Sequence, residues 1–297
     1  SVLLLETIAE EALEVLRKHT HVFAGYDEAT LKEVLNKEKI EAVITRGKGR
    51  INKALMEACP AHKIAARCGV GLDNVDLVEC AARNILVINA PGSNAATIAE
   101  HTLALMLMLR RNMYESVARV KANNWNWRNG YTGDEINGKT LGILGMGDIG
   151  KRVGGLAEAF GMKVMYWSRS IQDAPYPYFM FDEVLKQSDI ISLHLPLTKE
   201  TAAIIGKVQL ALMKPGAMLI NTARGALIDH DALLDALNTN QVAGFAADVL
   251  PEEPPVFGSA IIMHPHTLVT PHSGSLTAST FQQMCMITIQ KVVEVLG

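Results

Sequence analysis

Cysteine is scarce in this 297-residue chain: Cys59, Cys68, Cys80 and Cys285 form no Cys-x-x-Cys pair. That excludes a disulfide framework in a chain this long and fits a reducing, cytoplasmic location. Excess charge of one sign is also lacking, with 28 Lys and Arg against 31 Asp and Glu for a net charge of −3. No broad basic surface for nucleic acid and no polybasic membrane anchor is expected, and small molecules are the expected partners. Apolar runs stay well short of the roughly 20 residues needed to cross a bilayer. The most apolar helical stretch, Thr102 to Leu109, is bracketed by His101 and by Arg110-Arg111 and reads as a buried helix. No basic segment with an apolar core opens the chain, although the missing initiator Met leaves room for a trimmed terminus.

What the chain has in quantity is apolar side chains, 49% of its residues, enough for two compact cores. The first segment alternates short β-rich runs (Val2-Leu5, Ala42-Thr45, Ile64-Ala66, Ile85-Ile88) with helical periodicity at Glu10-His19 and Asn74-Arg83. The second alternates strands at Thr140-Leu144, Lys163-Trp167, Asp189-Leu193, Ala217-Asn221, Ala243-Ala247 and Thr267-Thr270 with helices between most of them. Near-continuous apolar strands of this kind predict α/β architecture with parallel sheets covered on both faces. One long helical pattern from Thr97 to about Ala122, then a polar, aromatic stretch from Asn123 to Gly138, separates the halves. Helical period returns from Ser275 to Leu296.

Gly145-Met146-Gly147-Asp148-Ile149-Gly150 follows an apolar strand and opens a helix reaching about Phe160, the context in which Gly-x-Gly-x-x-Gly binds a dinucleotide. The first glycine permits the tight turn, the second lets backbone approach the pyrophosphate, and the third allows close helix–strand packing, while the helix N-terminus attracts phosphate. An acidic residue about 20 residues further on would bind the adenosine ribose and select NAD. Here Ser168-Arg169-Ser170 stands at that place, so a hydroxyl and a guanidinium are expected to favour the 2′-phosphate of NADP, with NAD possible.

Hydride exchange between a 2-hydroxy acid and nicotinamide needs a proton-transfer group, a cation for the carboxylate and carbonyl, and a dry pocket. His272 in Thr270-Pro271-His272 lies just past an apolar strand, where imidazole is suited to proton exchange. Glu253 in Pro251-Glu252-Glu253-Pro254 is placed to hold and charge-stabilise it, and Arg224 in Asn221-Thr222-Ala223-Arg224-Gly225 to clamp a carboxylate. Each alone has an ordinary structural explanation; all three fall beyond strand ends of the segment carrying the glycine loop. Three alternating cations, Arg46, Lys48 and Arg50, suit a second anionic group on the substrate as well as they suit a solvated face. His264, Pro265 and His266 lack a carboxylate or cysteine pattern, so no metal is expected.

These residues in this order, with Arg67-Cys68-Gly69-Val70-Gly71-Leu72-Asp73-Asn74-Val75-Asp76, Pro91-Gly92-Ser93-Asn94, Ala99-Glu100-His101-Thr102 and Gly138-Lys139-Thr140-Leu141-Gly142, resemble the D-isomer-specific 2-hydroxyacid dehydrogenase family, which includes phosphoglycerate dehydrogenases and glyoxylate/hydroxypyruvate reductases. The resemblance covers nearly the whole chain. It implies a flavodoxin-like substrate domain (1–93 plus 273–297, with the C-terminal helix returning to it) and a Rossmann cofactor domain (94–272), with a cleft between them.

It also makes Arg224, Glu253 and His272 the catalytic set and puts Asp248 near the nicotinamide carboxamide. Thr97, Ile149, Leu195, Pro196, Thr201, Thr222, Ala223, His272 and Gly274 join the glycine loop and Ser168-Arg169-Ser170 around the cofactor. Amides near Val70 and Gly71, with Arg46, Arg224 and His272, would bind substrate. A homodimer using the arm with Trp125, Trp127 and Tyr131 is implied, and feedback control by a distal domain is not. An acid at Asp148 departs from the family and is unwelcome beside pyrophosphate unless it faces solvent or pairs with Lys151 or Arg152. Formate dehydrogenases carry glutamine where this chain has Glu253, which argues against formate. The same fold also serves NAD(P)-sensing corepressors, so a cofactor-sensing binding protein is the alternative, and D-3-phosphoglycerate dehydrogenase is the alternative specific enzyme.

Overall fold

A computed structural model describes Ser1–Gly297 in full. The chain divides into two compact units, Ser1–Asn94 with Ser275–Gly297, and Ala95–Gly274.

The first unit holds β1 (Val2–Leu4), β2 (Val22–Ala24), β3 (Ala42–Thr45), β4 (Ile64–Arg67) and β5 (Leu86–Ile88), all parallel, in the order β2-β1-β3-β4-β5. Alternate residues of one strand serve opposite faces. Val2, Leu4, Ala42, Ile44, Ile64 and Ala66 pack with Cys285, Ile289 and Val292 of the C-terminal helix Ala278–Leu296, whose N-terminus Thr277 caps. Leu3, Val43 and Ala65 pack on the other side with Leu55, Met56 and Cys80. Burial on both faces explains why these strands read as unbroken apolar runs. Three elements escaped the sequence reading: β2, the Glu28–Lys37 helix and the Lys53–Ala58 helix. The Glu28–Lys37 helix fully buries none of its residues, although Leu31, Val34 and Leu35 lie half-buried against the core, and it is defined at its start by the Asp27–Thr30 capping box.

In the second unit β6 (Thr140–Leu144), β7 (Lys163–Trp167), β8 (Ile190–Leu193), β9 (Ala217–Asn221), β10 (Val242–Ala247) and β11 (Thr267–Val269) form a parallel sheet in the order β11-β10-β9-β8-β6-β7. A single parallel bridge, Tyr166 to Tyr178, continues it beyond β7, so the third strand of the usual dinucleotide-binding order is reduced here to one residue pair. Leu219, Phe245 and Ala247 face one apolar layer and Met218, Ile220 and Ala246 the other.

The single long helix expected from Thr97 to about Ala122 is instead two, Ala95–Arg110 and Met113–Lys121. Asn112 separates them with φ +45°, a left-handed conformation that asparagine tolerates better than other side chains and that ends a helix. The apolar period carries on past the break, which is why periodicity alone missed it. Thr102, Leu103, Leu105, Met106 and Leu109 are buried, as expected of that segment. No helix is long and apolar enough to cross a membrane.

Candidate active site

The three glycines after β6 do different work. Gly145 has φ +104°, and a Cβ there would sit 2.4 Å from the His194 carbonyl oxygen. A Cβ on Gly150 would sit 2.2 Å from the Gly145 carbonyl oxygen, so this glycine lets the Asp148–Ala159 helix start hard against the turn. A Cβ on Gly147 would meet no atom within 4 Å. Nothing in the chain itself requires glycine there, and the space a side chain would take is the approach that a pyrophosphate needs to the helix N-terminus. The residues therefore fit a dinucleotide. Asp148 is exposed and forms no ion pair with Lys151 or Arg152, so its carboxylate faces solvent, while Ile149 is half-buried.

Beyond β7, Ser168 is buried and its hydroxyl donates to the Ser170 carbonyl at 2.7 Å, whereas Arg169 is exposed. The Ser170 hydroxyl accepts from the Gln172 side-chain amide at 2.9 Å. After β8, Leu195 is buried and Pro196 exposed; the Thr201 hydroxyl donates back to the Pro196 carbonyl at 2.7 Å, bracing the loop. Thr97 lies half-buried in the first turn of the Ala95–Arg110 helix.

The reactive side chains gather at the ends of β9, β10 and β11. Glu253 Oε2 lies 2.6 Å from His272 Nδ1, and Glu253 Oε1 accepts from the Leu250 amide at 3.0 Å, fixing the carboxylate from both sides. His272 has φ +52°, an uncommon backbone state for histidine that its surroundings must impose. They do so through Asp248, which is 1% exposed. Asp248 Oδ1 accepts from the Thr270 hydroxyl at 2.6 Å and the Ser273 amide at 2.9 Å, and Oδ2 from the Gly274 amide at 2.8 Å, clasping the residues on both sides of His272. Burial pushes the Asp248 carboxyl up, but bonds from His101, Thr270, Gly274 and Ser273 outweigh it and hold the group below its ordinary value. His101 Nε2 lies 3.0 Å from the Thr270 hydroxyl. Because that hydroxyl donates to Asp248, His101 donates in turn, which sets its tautomer.

Arg224 is half-buried at the end of a turn closed by Asn221, whose amide nitrogen donates to the Arg224 carbonyl at 2.8 Å and whose oxygen accepts from the Ala223 amide at 3.0 Å. Arg224 Nη1 donates to the Ala223 carbonyl at 2.7 Å. The Thr222 hydroxyl is 2.8 Å from that of Thr102, which itself donates to the Ile98 carbonyl, so Thr222 is the donor of the pair. A Cβ on Gly225 would lie 2.0 Å from the Leu250 carbonyl carbon. Glycine at this position thus lets the Arg224 turn press against the segment carrying Glu253. The expected catalytic set is brought together at one sheet edge; the sequence reading missed His101 and Gly225, which hold it there.

The first unit has its own arrangement. Arg67 Nε donates to the Arg46 carbonyl at 2.9 Å and Nη1 donates to the Gly71 carbonyl, while Asn89 Nδ2 donates to the Val70 carbonyl at 2.7 Å. The carbonyls of Val70 and Gly71 are thus held by side chains, and neither amide of the pair donates within the chain. Arg46 lies with its guanidinium carbon 5.2 Å from the centre of the Phe281 ring and Nε 3.9 Å from Glu6 Oε2. In the second unit, His264 Nδ1 accepts from the His266 amide at 3.2 Å, which engages that ring nitrogen.

The family described as D-isomer specific 2-hydroxyacid dehydrogenase, NAD binding domain, matches residues 103–274. Glyoxylate reductase of Aeropyrum pernix is 39% identical over 299 residues, 95% of this chain and 89% of that one. D-3-phosphoglycerate dehydrogenase of Bacillus subtilis is 40% identical over 261 residues, 86% of this chain but 49% of that one. The chain spans about half the length of the phosphoglycerate dehydrogenases it matches. The crystal structure of the TT0316 protein from Thermus thermophilus superposes with a TM-score of 0.92 at 35% identity, covering 99% of this chain and 96% of that one. A dinucleotide loop, a carboxylate-held histidine and an arginine at neighbouring strand ends, on a chain aligned with these relatives almost throughout, make it a member of the D-isomer specific 2-hydroxyacid dehydrogenase family.

Proposed function

We propose that the chain is a nicotinamide-dependent oxidoreductase interconverting small 2-oxo acids and D-2-hydroxy acids. The observation that carries this reading is the 2.6 Å contact between Glu253 Oε2 and His272 Nδ1 in the unit that bears the glycine loop. A bound nicotinamide supplies or accepts the hydride. His272 supplies the proton: with Nδ1 held by Glu253, Nε2 is the nitrogen that donates to the nascent hydroxyl in reduction and takes the proton back in oxidation. The Glu253 carboxylate stabilises the imidazolium while it exists. Arg224 clamps the substrate carboxylate and draws charge onto the carbonyl oxygen, where negative charge develops. The amides of Val70 and Gly71 bind the same carboxylate, and Arg46 takes a second anionic group where the substrate has one.

NADP is the preferred cofactor in this reading. With the Ser168 hydroxyl engaged by Ser170, the exposed Arg169 guanidinium carries the preference for a 2′-phosphate. Asp248 would act on the nicotinamide end of a bound cofactor through the loop it clasps, and Thr97 and Ala223 would help hold that cofactor. The protein acts as a homodimer. Met113, Val117 and Val120 recur along one side of the Met113–Lys121 helix with half or more of their surface exposed, followed by Trp125 at 64%. That apolar stripe is what a second copy would cover. Four free, buried thiols fit a cytoplasmic setting.

Initial rates on a panel of 2-oxo acids with NADH and NADPH test the proposal. Turnover is expected, faster with limiting NADPH, and lowered about 10²- to 10⁴-fold in His272→Ala. Cofactor binding without turnover of any 2-oxo acid would establish a cofactor-sensing binding protein instead. Equal rates with both cofactors would remove the role given to Arg169, and sedimentation that stays monomeric at micromolar concentration would remove the dimer.

A further inference from the structure

Strand order in the first unit reverses between β1 and β3, and open α/β sheets bind their ligands beyond the strand ends at such a reversal. Here a side chain of the protein itself occupies that place. Glu6, two residues past β1, projects its carboxylate into the loop after β3. Its Oε1 accepts from the amides of Arg46 at 3.1 Å and of Gly47, Lys48 and Gly49 at 2.8 Å each, and lies 2.9 Å from the Thr45 hydroxyl. Four successive amides aimed at one oxygen form an anion nest. The carboxyl side chain is only 10% exposed. Burial alone would push it up, but the amide bonds outweigh burial and hold it ionised below its usual value.

The rest of the loop is built around this contact. Asn74 Nδ2 holds the Gly49 carbonyl at 2.7 Å, and Arg67 holds that of Arg46. A Cβ on Gly49 would come within 2.5 Å of Leu5 Cβ, so the loop can lie this close to β1 only with glycine there. Since Glu6 saturates the amides, an incoming anion is left with the side chains. Arg46 is steadied by Glu6 Oε2 at 3.9 Å and by the Phe281 ring, while Lys48 and Arg50 are exposed.

We infer that Glu6 is a positioning residue: an internal anion that sets the path of the Thr45–Arg50 loop, and with it Arg46, so that substrates carrying a second anionic group are preferred. The inference rests on the proposed 2-oxo acid activity and on the part given there to Arg46.

The test measures kcat and KM with NADPH for glyoxylate and for a 2-oxo acid bearing a second carboxylate or a phosphate, in wild type, Glu6→Gln, Glu6→Asp and Arg46→Ala. Glu6→Gln places an amide nitrogen among four donors. It should raise KM for the doubly charged substrate about tenfold while leaving kcat, and KM for glyoxylate, within about twofold. Glu6→Asp, which keeps the charge one methylene shorter, should restore part of the preference, and it carries the test if Glu6→Gln does not fold. Equal KM changes for both substrates, or a loss confined to kcat and thermal stability, would overturn the inference by reducing Glu6 to a structural role. If Arg46→Ala abolishes the preference and the Glu6 variants keep it, the inference alone is overturned. If Arg46→Ala keeps it, the part given to Arg46 falls, and the inference with it.

Discussion

Both units end their parallel strands in loops that hold functional groups, yet they fix opposite things. In the second unit one buried carboxylate, Asp248, receives a hydroxyl and two amides so that a side chain, His272, is held against another side chain, Glu253. In the first unit side chains hold the main chain: Glu6, Arg67 and Asn89 grip the amides and carbonyls of residues 46–49 and 70–71. The difference matches the tasks proposed for them. Moving a proton needs a titrating side chain with a set tautomer, whereas holding an anion needs only donors aimed at one point, which backbone amides supply where glycine keeps the approach open. In the proposed reaction this contrast predicts that changes at Glu253 and His272 act mainly on kcat, and changes in the first-unit loops mainly on KM for the 2-oxo acid.

The largest expected effect is that of Glu253→Gln, which keeps the shape of the side chain and removes its charge. It should lower kcat about 100-fold with little change in KM for the 2-oxo acid. Steady-state kinetics decide, and a change confined to KM would break the comparison. Gly147→Ala should come next, raising KM for the reduced cofactor about tenfold because the added methyl fills only the space the pyrophosphate requires. Its melting temperature should stay at the wild-type value, since that methyl meets nothing in the chain; a drop in stability with unchanged cofactor KM would show that Gly147 serves the fold.

In the first unit Asn89→Ala frees the Val70 carbonyl and should raise KM for the 2-oxo acid roughly three- to tenfold, the value of one hydrogen bond, with kcat preserved. A fall in kcat instead would mean that the units do not divide the work this way. The smallest effect concerns acid stability. The Asp248 carboxyl is held below its ordinary value in the folded state, so its contribution is complete above about pH 3.9 and is lost as pH falls through the folded-state value. Thermal unfolding from pH 7 to pH 3 should therefore fall less steeply at the acid end for Asp248→Asn, from a lower starting point. Parallel curves would remove Asp248 as the clasp of the His272 loop.

Strands were the most legible part of the fold, because burial on both faces leaves unbroken apolar runs bounded by turn residues. Thr140–Leu144, Lys163–Trp167 and Ala217–Asn221 have the expected limits. The Glu28–Lys37 helix went unread because its apolar stripe, Leu31, Val34 and Leu35, is short, only half-buried and set among charged residues, and the break at Asn112 because one left-handed residue leaves the apolar period unchanged.

In the site, Arg224, Glu253 and His272 could be named from residue type and from their places beyond strand ends. Their supports could not. His101 is 169 residues from the hydroxyl it contacts, and Glu6 about forty residues from its nest. A glycine after Arg224 was the one local hint, since glycine often marks a close approach, here to Leu250.

By itself, then, the sequence determined the parallel α/β class, the dinucleotide turn and the kinds of reactive group. Those depend on periodicity, on glycine at fixed spacing and on side-chain chemistry, all local properties. Tertiary structure alone decided which atoms of Glu253 and His272 meet, that Asp248 clasps the loop between Thr270 and Gly274, and that Glu6 takes up the nest beyond β3. Each joins residues distant in sequence, and a hydrogen bond depends on tenths of an ångström between atoms that only the packed sheets bring together.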